Sequence, residues 1–106
     1  MSAVKVVVRP EAKDDIRNLG SNPVKLEAMK YILRLEHAPK LGKELEHHAG
    51  VGNLSDCRKI FIASRRHRVV YRLIPDEQNP TVVDVIAVGP RALLEVYRVA
   101  AQRLGR

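Results

Sequence analysis

Three runs rich in β-branched and aliphatic residues follow one another closely: Cys57 to Ala63, Arg68 to Ile74 and Thr81 to Val88. The spacers are only Ser64-Arg65-Arg66-His67 and the turn-rich Pro75-Asp76-Glu77-Gln78-Asn79-Pro80. A parallel pair needs a crossover of a dozen or more residues, so these runs must be antiparallel neighbours. An antiparallel meander therefore has to be the frame of any fold this chain adopts.

Upstream, Val4, Val6 and Val8 alternate with Lys5 and Arg9, a half-buried strand closed by Pro10. Ala12, Ile16 and Leu19 fall at helical spacing, Glu11, Asp14 and Asp15 enrich the early turns, and Gly20 stands at a C-cap position. Asn22 and Pro23 read as the N-cap and first position of a second helix carrying Leu26, Met29, Ile32, Leu33 and Leu35 to a stop near Pro39. The segment from Leu41 to Asn53, with Gly42, Gly50 and Gly52, reads as loop. A last helix from about Arg91 to Leu104 puts Leu93, Tyr97, Ala101 and Leu104 on one face. The order β-α-α-β-β-β-α predicts an α+β domain, a small twisted antiparallel sheet with a two-helix hairpin on one face. At 106 residues the chain suits one domain over 1–106.

Aromatics are only 4% of the residues, with no Trp, so the core must be aliphatic and small. The single Cys57 excludes an internal disulfide framework and reads as a small buried residue rather than a nucleophile. His47 and His48 are adjacent and would point opposite ways on an extended chain, which argues against a metal site. No apolar run approaches the length of a membrane span, and the chain is expected in the cytoplasm, without a membrane partner.

The formal net charge is +7, which favours a polyanionic partner. Nearly all the excess lies between Cys57 and Pro75, where Arg58, Lys59, Arg65, Arg66, Arg68 and Arg72 meet no acidic residue. Alternation sends Ile60 and Ile62 to one face of a strand and Lys59 and Phe61 to the other. On the next strand Val69, Tyr71 and Leu73 join the packed face, leaving Lys59, Arg68 and Arg72 on one open surface that Arg91 reaches after the Gly89-Pro90 turn. Tyr97 either packs in the last helix or presents its ring to a base. Converging guanidinium and ammonium groups suit phosphate recognition. They also suit cleavage of RNA, where the 2′-hydroxyl attacks its own phosphate and the protein positions the strand, moves protons and stabilises charge.

Asp56-Cys57-Arg58-Lys59-Ile60, Arg68-Val69-Val70-Tyr71-Arg72, Val88-Gly89-Pro90-Arg91 and Glu95-Val96-Tyr97 together resemble the RelE/ParE superfamily of toxins from bacterial type II toxin–antitoxin pairs. Leu19-Gly20, Pro39 and Gly42-Lys43-Glu44-Leu45 extend the resemblance over nearly the whole chain. It is nearest the RelE branch, which implies a metal-free, cofactor-free endoribonuclease that cuts mRNA in the ribosomal A site. By the same resemblance Lys59 is a catalytic lysine, Arg68 and Arg91 stabilise the transition state, and Tyr97 stacks on the substrate. Arg58, Phe61, Arg65, Arg66, His67 and Arg72 are the expected substrate-binding set. Phe61 stands where the best-known RelE proteins carry a second lysine, which leaves Lys59 or His67 as the base, or Phe61 as a stacking residue beside slow catalysis. The implied partners are the ribosome with its mRNA and a cognate antitoxin that wraps the toxin and covers or displaces a weakly anchored C-terminal helix, with operator DNA met only through the antitoxin. A ParE-like gyrase poison and an inactive basic RNA-binding module are the other functions open to such a chain.

Overall fold

The computed structural model describes residues 3–106. Strand β1 (Lys5–Val8) leads into helices α1 (Pro10–Arg17) and α2 (Asn22–Arg34). A two-residue strand β2 (Lys43–Glu44) then precedes the meander β3 (Cys57–Ile62), β4 (His67–Ile74) and β5 (Val82–Pro90), and α3 (Glu95–Arg103) closes the chain. The five strands form one sheet in the order β1-β5-β4-β3-β2.

The meander is antiparallel as its short spacers require, but the sheet as a whole is mixed, because β1 lies parallel to β5. The α1–α2 hairpin carries the chain across one face of the sheet, and β5 returns beside β1 pointing the same way. The segment read as loop contributes the outer strand β2, paired antiparallel with β3; two residues are too short to show alternation in a sequence.

Pro10 opens α1, and Gly20, at φ +75°, follows its end in the left-handed conformation that glycine tolerates best. The cap of α2 is Ser21, one residue before the expected Asn22; its hydroxyl accepts the Val24 N–H at 3.4 Å. The buried stripe of α2 is Ala28, Ile32 and Leu35, whereas Leu26 and Leu33 of the expected face are exposed. Small Ala12 and Ala28 let the hairpin lie close on Ile60, Ile62, Val69, Tyr71, Val83 and Val85.

The opposite face is not open. There α3 and the loop after β2 bury a second core of Val51, Leu54, Cys57, Val70, Ile86, Ala87, Val96, Tyr97, Ala100 and Ala101. A β-bulge supplies it: Val70 pairs with Ala87 and Tyr71 with Val85, so Ile86 is an extra residue and both Ile86 and Ala87 face α3. Before α3 the chain makes a 3-10 turn (Ala92–Leu94) with Leu93 and Leu94 left-handed. That kink expels Leu93 from the predicted apolar face, leaving it 88% exposed, while Tyr97 and Ala101 of the same face are buried.

Helix α3 is firmly held rather than weakly anchored. Arg103 donates to both oxygens of Asp15 on α1 at 2.6 and 3.0 Å and to the Ile86 carbonyl at 2.9 Å. Arg9 donates to the Arg103 carbonyl at 3.2 Å, and Arg106 pairs with Asp56. No helix among the described residues is long and apolar enough to cross a membrane.

Candidate active site

Lys59 and Phe61 project from β3 toward the α3 side of the sheet, on the same face as Cys57, as the period of two dictates. Across the strands, Phe61 pairs with Arg68 and Lys59 with Lys43, and directly opposite residues share a face. The β3–β4 turn adds Arg65. Its residues Ala63, Ser64 and Arg65 are all left-handed (φ 53°, 53° and 73°), a conformation costing non-glycine residues about 1–3 kcal/mol each. Their neighbours hold it: Glu27 of α2 accepts the Ala63 N–H at 2.8 Å, Arg66 N–H donates to the Ala63 carbonyl at 3.1 Å, and the Arg68 guanidinium donates to the carbonyls of Arg65 and His67. At the end of β5, Arg91 N–H donates to the Arg66 carbonyl at 2.8 Å, which fixes Arg91 beside the turn.

These elements enclose a cleft of about 270 Å³ lined by Lys43, Lys59, Phe61, Arg65, Arg68 and Arg91 together with Glu44, Glu46 and His48. Phe61 is its centre. The guanidinium carbons of Arg68 and Arg65 lie 4.3 and 4.6 Å from its ring centroid, and the ammonium groups of Lys43 and Lys59 lie 5.4 and 5.6 Å away. An aromatic face attracts each cation and lets mutually repelling charges stand close together. Arg68 is only 7% exposed, and its buried Nε has no hydrogen-bond partner among the described residues. Burial pushes the Lys59 ammonium below its ordinary pKa; Glu46 pulls it back up, and Arg68, Arg91 and Lys43 push it further down.

A second aromatic centre lies beside the first. The ring of His48 stacks on Tyr97, with centroids 5.5 Å apart and planes 10° from parallel, and the Arg91 guanidinium lies 6.0 Å from the Tyr97 centroid. Tyr97 itself is fully buried and its hydroxyl has no partner among the described residues, so its ring reaches the cleft through His48 and Arg91 rather than facing solvent.

Of the residues expected from the sequence, Lys59, Phe61, Arg65, Arg68 and Arg91 converge on the cleft. The others do not line it. Arg72 shares the face of Arg68 but lies four residues along β4, about 13 Å away at strand spacing, where Asp84 accepts its Nε at 3.0 Å. Arg58 points to the opposite face and is taken by Glu77 at 2.7 and 3.1 Å and by the Gly42 carbonyl at 2.7 Å. The Arg66 Nε folds back on the Ala63 carbonyl, and His67 lines a separate depression beside Asp15 and Arg103. Lys43, Glu44, Glu46 and His48 were missed, because a strand too short to predict brings in the first two and the loop that follows it the others. For Lys43 and Glu44 the signal was the resemblance carried by Gly42-Lys43-Glu44-Leu45; Glu46 and His48 lie beyond that motif. Gly42 is demanded by close approach: a Cβ there would lie 2.8 Å from the Lys59 carbonyl and from the Tyr71 ring. Among the described residues no three His, Cys, Asp or Glu side chains are grouped to hold a metal ion.

A meander flanked by a helical hairpin and a latched last helix, with a cationic cleft at one end, defines a class that comparison with known proteins identifies. Residues 6–93 match the family described as ParE toxin of type II toxin-antitoxin system, parDE. The chain belongs to this family, within the RelE/ParE superfamily and on its RelE side. It is 32% identical over 88 residues to the mRNA interferase toxin RelE of Escherichia coli K12, spanning 83% of either chain. A structure of an arginine double variant of Escherichia coli RelE in the free state superposes with a TM-score of 0.68 at 28% identity, covering 98% of this chain and 99% of that one. RelE in the intact Escherichia coli RelBE toxin–antitoxin complex gives a TM-score of 0.59 at 28% identity over 83% of this chain and 96% of that one.

Proposed function

We propose that residues 1–106 form one toxin domain of a type II toxin–antitoxin module, an endoribonuclease that cuts mRNA in the ribosomal A site and so stops translation in the cytoplasm. The observation that carries this reading is the convergence of Lys59, Arg68 and Arg91, from three different strands or strand ends, on one cleft with an aromatic floor. Likeness to mRNA interferases over most of the chain supports it.

The chemistry asks little beyond what these residues offer. The cleft's cations draw in the phosphate and hold the strand for attack by its own 2′-hydroxyl. The guanidiniums of Arg68 and Arg91, both lining the cleft, stabilise the charge that develops on the phosphorane oxygens. Lys59, with its ammonium destabilised by burial, accepts the 2′-hydroxyl proton, which answers for the lysine absent at position 61. Phe61 offers a face for a splayed base while it holds Arg65 and Arg68 in place. No cofactor enters this scheme. The neutralising partner is an antitoxin segment that covers the cleft or takes the place of α3, and operator DNA is met only through that antitoxin.

The test is primer extension on mRNA bound to purified ribosomes, comparing the wild-type protein with Arg68→Ala and Arg91→Ala. Cuts within A-site codons that both variants lose are the expected result. Undiminished cutting by both variants would sink the assignment of these arginines, and no cutting by folded wild-type protein would sink the nuclease reading. The same preparations belong in a gyrase supercoiling assay, where inhibition without RNA cleavage would identify a ParE-like poison.

A further inference from the structure

In the RNA-cleavage reading on which this inference rests, two protons move: one leaves the 2′-oxygen as it attacks, and one must reach the departing 5′-oxygen. The attacking and leaving oxygens lie on opposite sides of the phosphorus. Two groups of side chains are available to the cleft, each gathered at an aromatic ring. Around Phe61 stand Lys43, Lys59, Arg65 and Arg68; around Tyr97 stand Arg91 and His48. Lys59 belongs to the first. In the second, Arg91 stabilises charge but holds its protons too tightly to trade them, since a guanidinium is not deprotonated in proteins.

His48 is the other group there. Imidazole is the side chain best fitted to give up and regain a proton near neutral pH. Its ring is fixed rather than free: it stacks within 10° of parallel on Tyr97, a residue wholly buried in the second core. His47, its neighbour, is exposed and does not line the cleft. His48 is half-buried and lines the cleft together with Lys59, Arg68 and Arg91.

We propose that His48 is the general acid that protonates the leaving 5′-oxygen. In the step, the neutral amine of Lys59 takes the proton from O2′, and the O2′–P bond forms. The P–O5′ bond breaks, and the imidazolium of His48 passes its proton to O5′. The products are a 2′,3′-cyclic phosphate and a 5′-hydroxyl, with Lys59 protonated and His48 neutral; solvent restores both.

A 5′-bridging phosphorothiolate tests this directly, because a thiolate leaves without needing a proton. The scissile position is mapped first by primer extension, and ribosome-bound mRNA is then prepared with sulfur replacing O5′ there. His48→Gln and His48→Asn, each with unchanged melting temperature, are expected to cut ordinary mRNA roughly 100-fold or more slowly than wild type, the range for loss of a general acid. Both are expected to cut the phosphorothiolate within a few-fold of wild type, while Lys59→Ala stays slow on both substrates. Ordinary mRNA cut at near wild-type rate by both variants would overturn the assignment and leave the nuclease reading intact. So would an equal loss on the two substrates, which marks a positioning role. Failure of the wild-type protein to cut either substrate would overturn the nuclease reading and this inference with it.

Discussion

Arg72 lies within the basic run, yet the structure spends it on the fold, and that distinction can be measured at Asp84. The Asp84 side chain is 8% exposed. It accepts Arg9 Nε and Nη2 at 3.0 and 2.9 Å and Arg72 Nε at 3.0 Å. One carboxylate thus ties the end of β1 to β5 and β4. Asp84→Ala leaves two guanidiniums facing each other without their anion. Removing one partner of a buried pair costs about 3–5 kcal/mol. Arg9 and Arg72 keep 22% and 26% of their side-chain surface exposed and recover some hydration, so about 2–4 kcal/mol is the better figure. For a domain of this size that lowers Tm by roughly 10–20 °C. Acidity gives a second readout. Burial works to raise the Asp84 pKa, but the hydrogen bonds from Arg9 and Arg72 outweigh it, and the group lies below its ordinary value. A carboxylate whose pKa is lower folded than unfolded adds stability that is complete above the unfolded value, about 3.9, and fades as pH falls through the folded value. Urea unfolding of wild type and Asp84→Ala between pH 7 and pH 2 is therefore expected to show a gap that is constant near neutrality and narrows only in acid. Cleavage per folded molecule at 20 °C is expected to be unchanged. A loss under 1 kcal/mol, or a gap that widens on acidification, would refute the argument.

Tyr71 hydroxyl accepts the Gly42 N–H and donates to the Pro39 carbonyl, both at 2.8 Å, so Tyr71→Phe strands two backbone groups and is expected to cost about 1–3 kcal/mol by urea unfolding. Gly42→Ala pushes β2 off Lys59 and Tyr71, and is expected to lower the cleavage rate as well as stability as Lys43 and the following loop shift. Burial drives the Cys57 thiol up to about 12, so in folded protein it should resist an aromatic disulfide reagent at pH 8 and react at once in denaturant; rapid labelling of the native state would contradict its burial. Asp15→Asn removes the charge that Arg103 grips and is expected to raise amide exchange selectively in α3, with unchanged exchange there counting against the latch.

The parts of the fold that were readable in the sequence are those in which one physical rule acts alone. Alternation in β3 and β4 puts Ile60, Ile62, Val69 and Tyr71 on one face and Lys59, Phe61 and Arg68 on the other, and spacers of four and six residues settle the antiparallel pairing. Legibility ends where two rules compete. On α2, the leucines at 26 and 33 are as apolar as Ile32, but alanine at 28 permits closer approach to the sheet, so the helix turns that stripe inward. In β5 the bulge at Ile86 breaks the period that pattern reading relies on, and with it creates the second core that closes the face expected to be open. Arg58 and Arg72 illustrate the same limit for charge. Their sequence neighbourhood is wholly basic, yet Glu77 and Asp84 reach them through the β4–β5 connection and its pairing, which a local count of charges does not register. The cleft is what remains once those contacts are made. Among the described residues Lys59, Arg65, Arg68 and Arg91 have no carboxylate within ion-pair distance, whereas Arg58 and Arg72 of the same basic run do. The cations without an anion in the fold, rather than the most basic stretch of sequence, form the phosphate site proposed above.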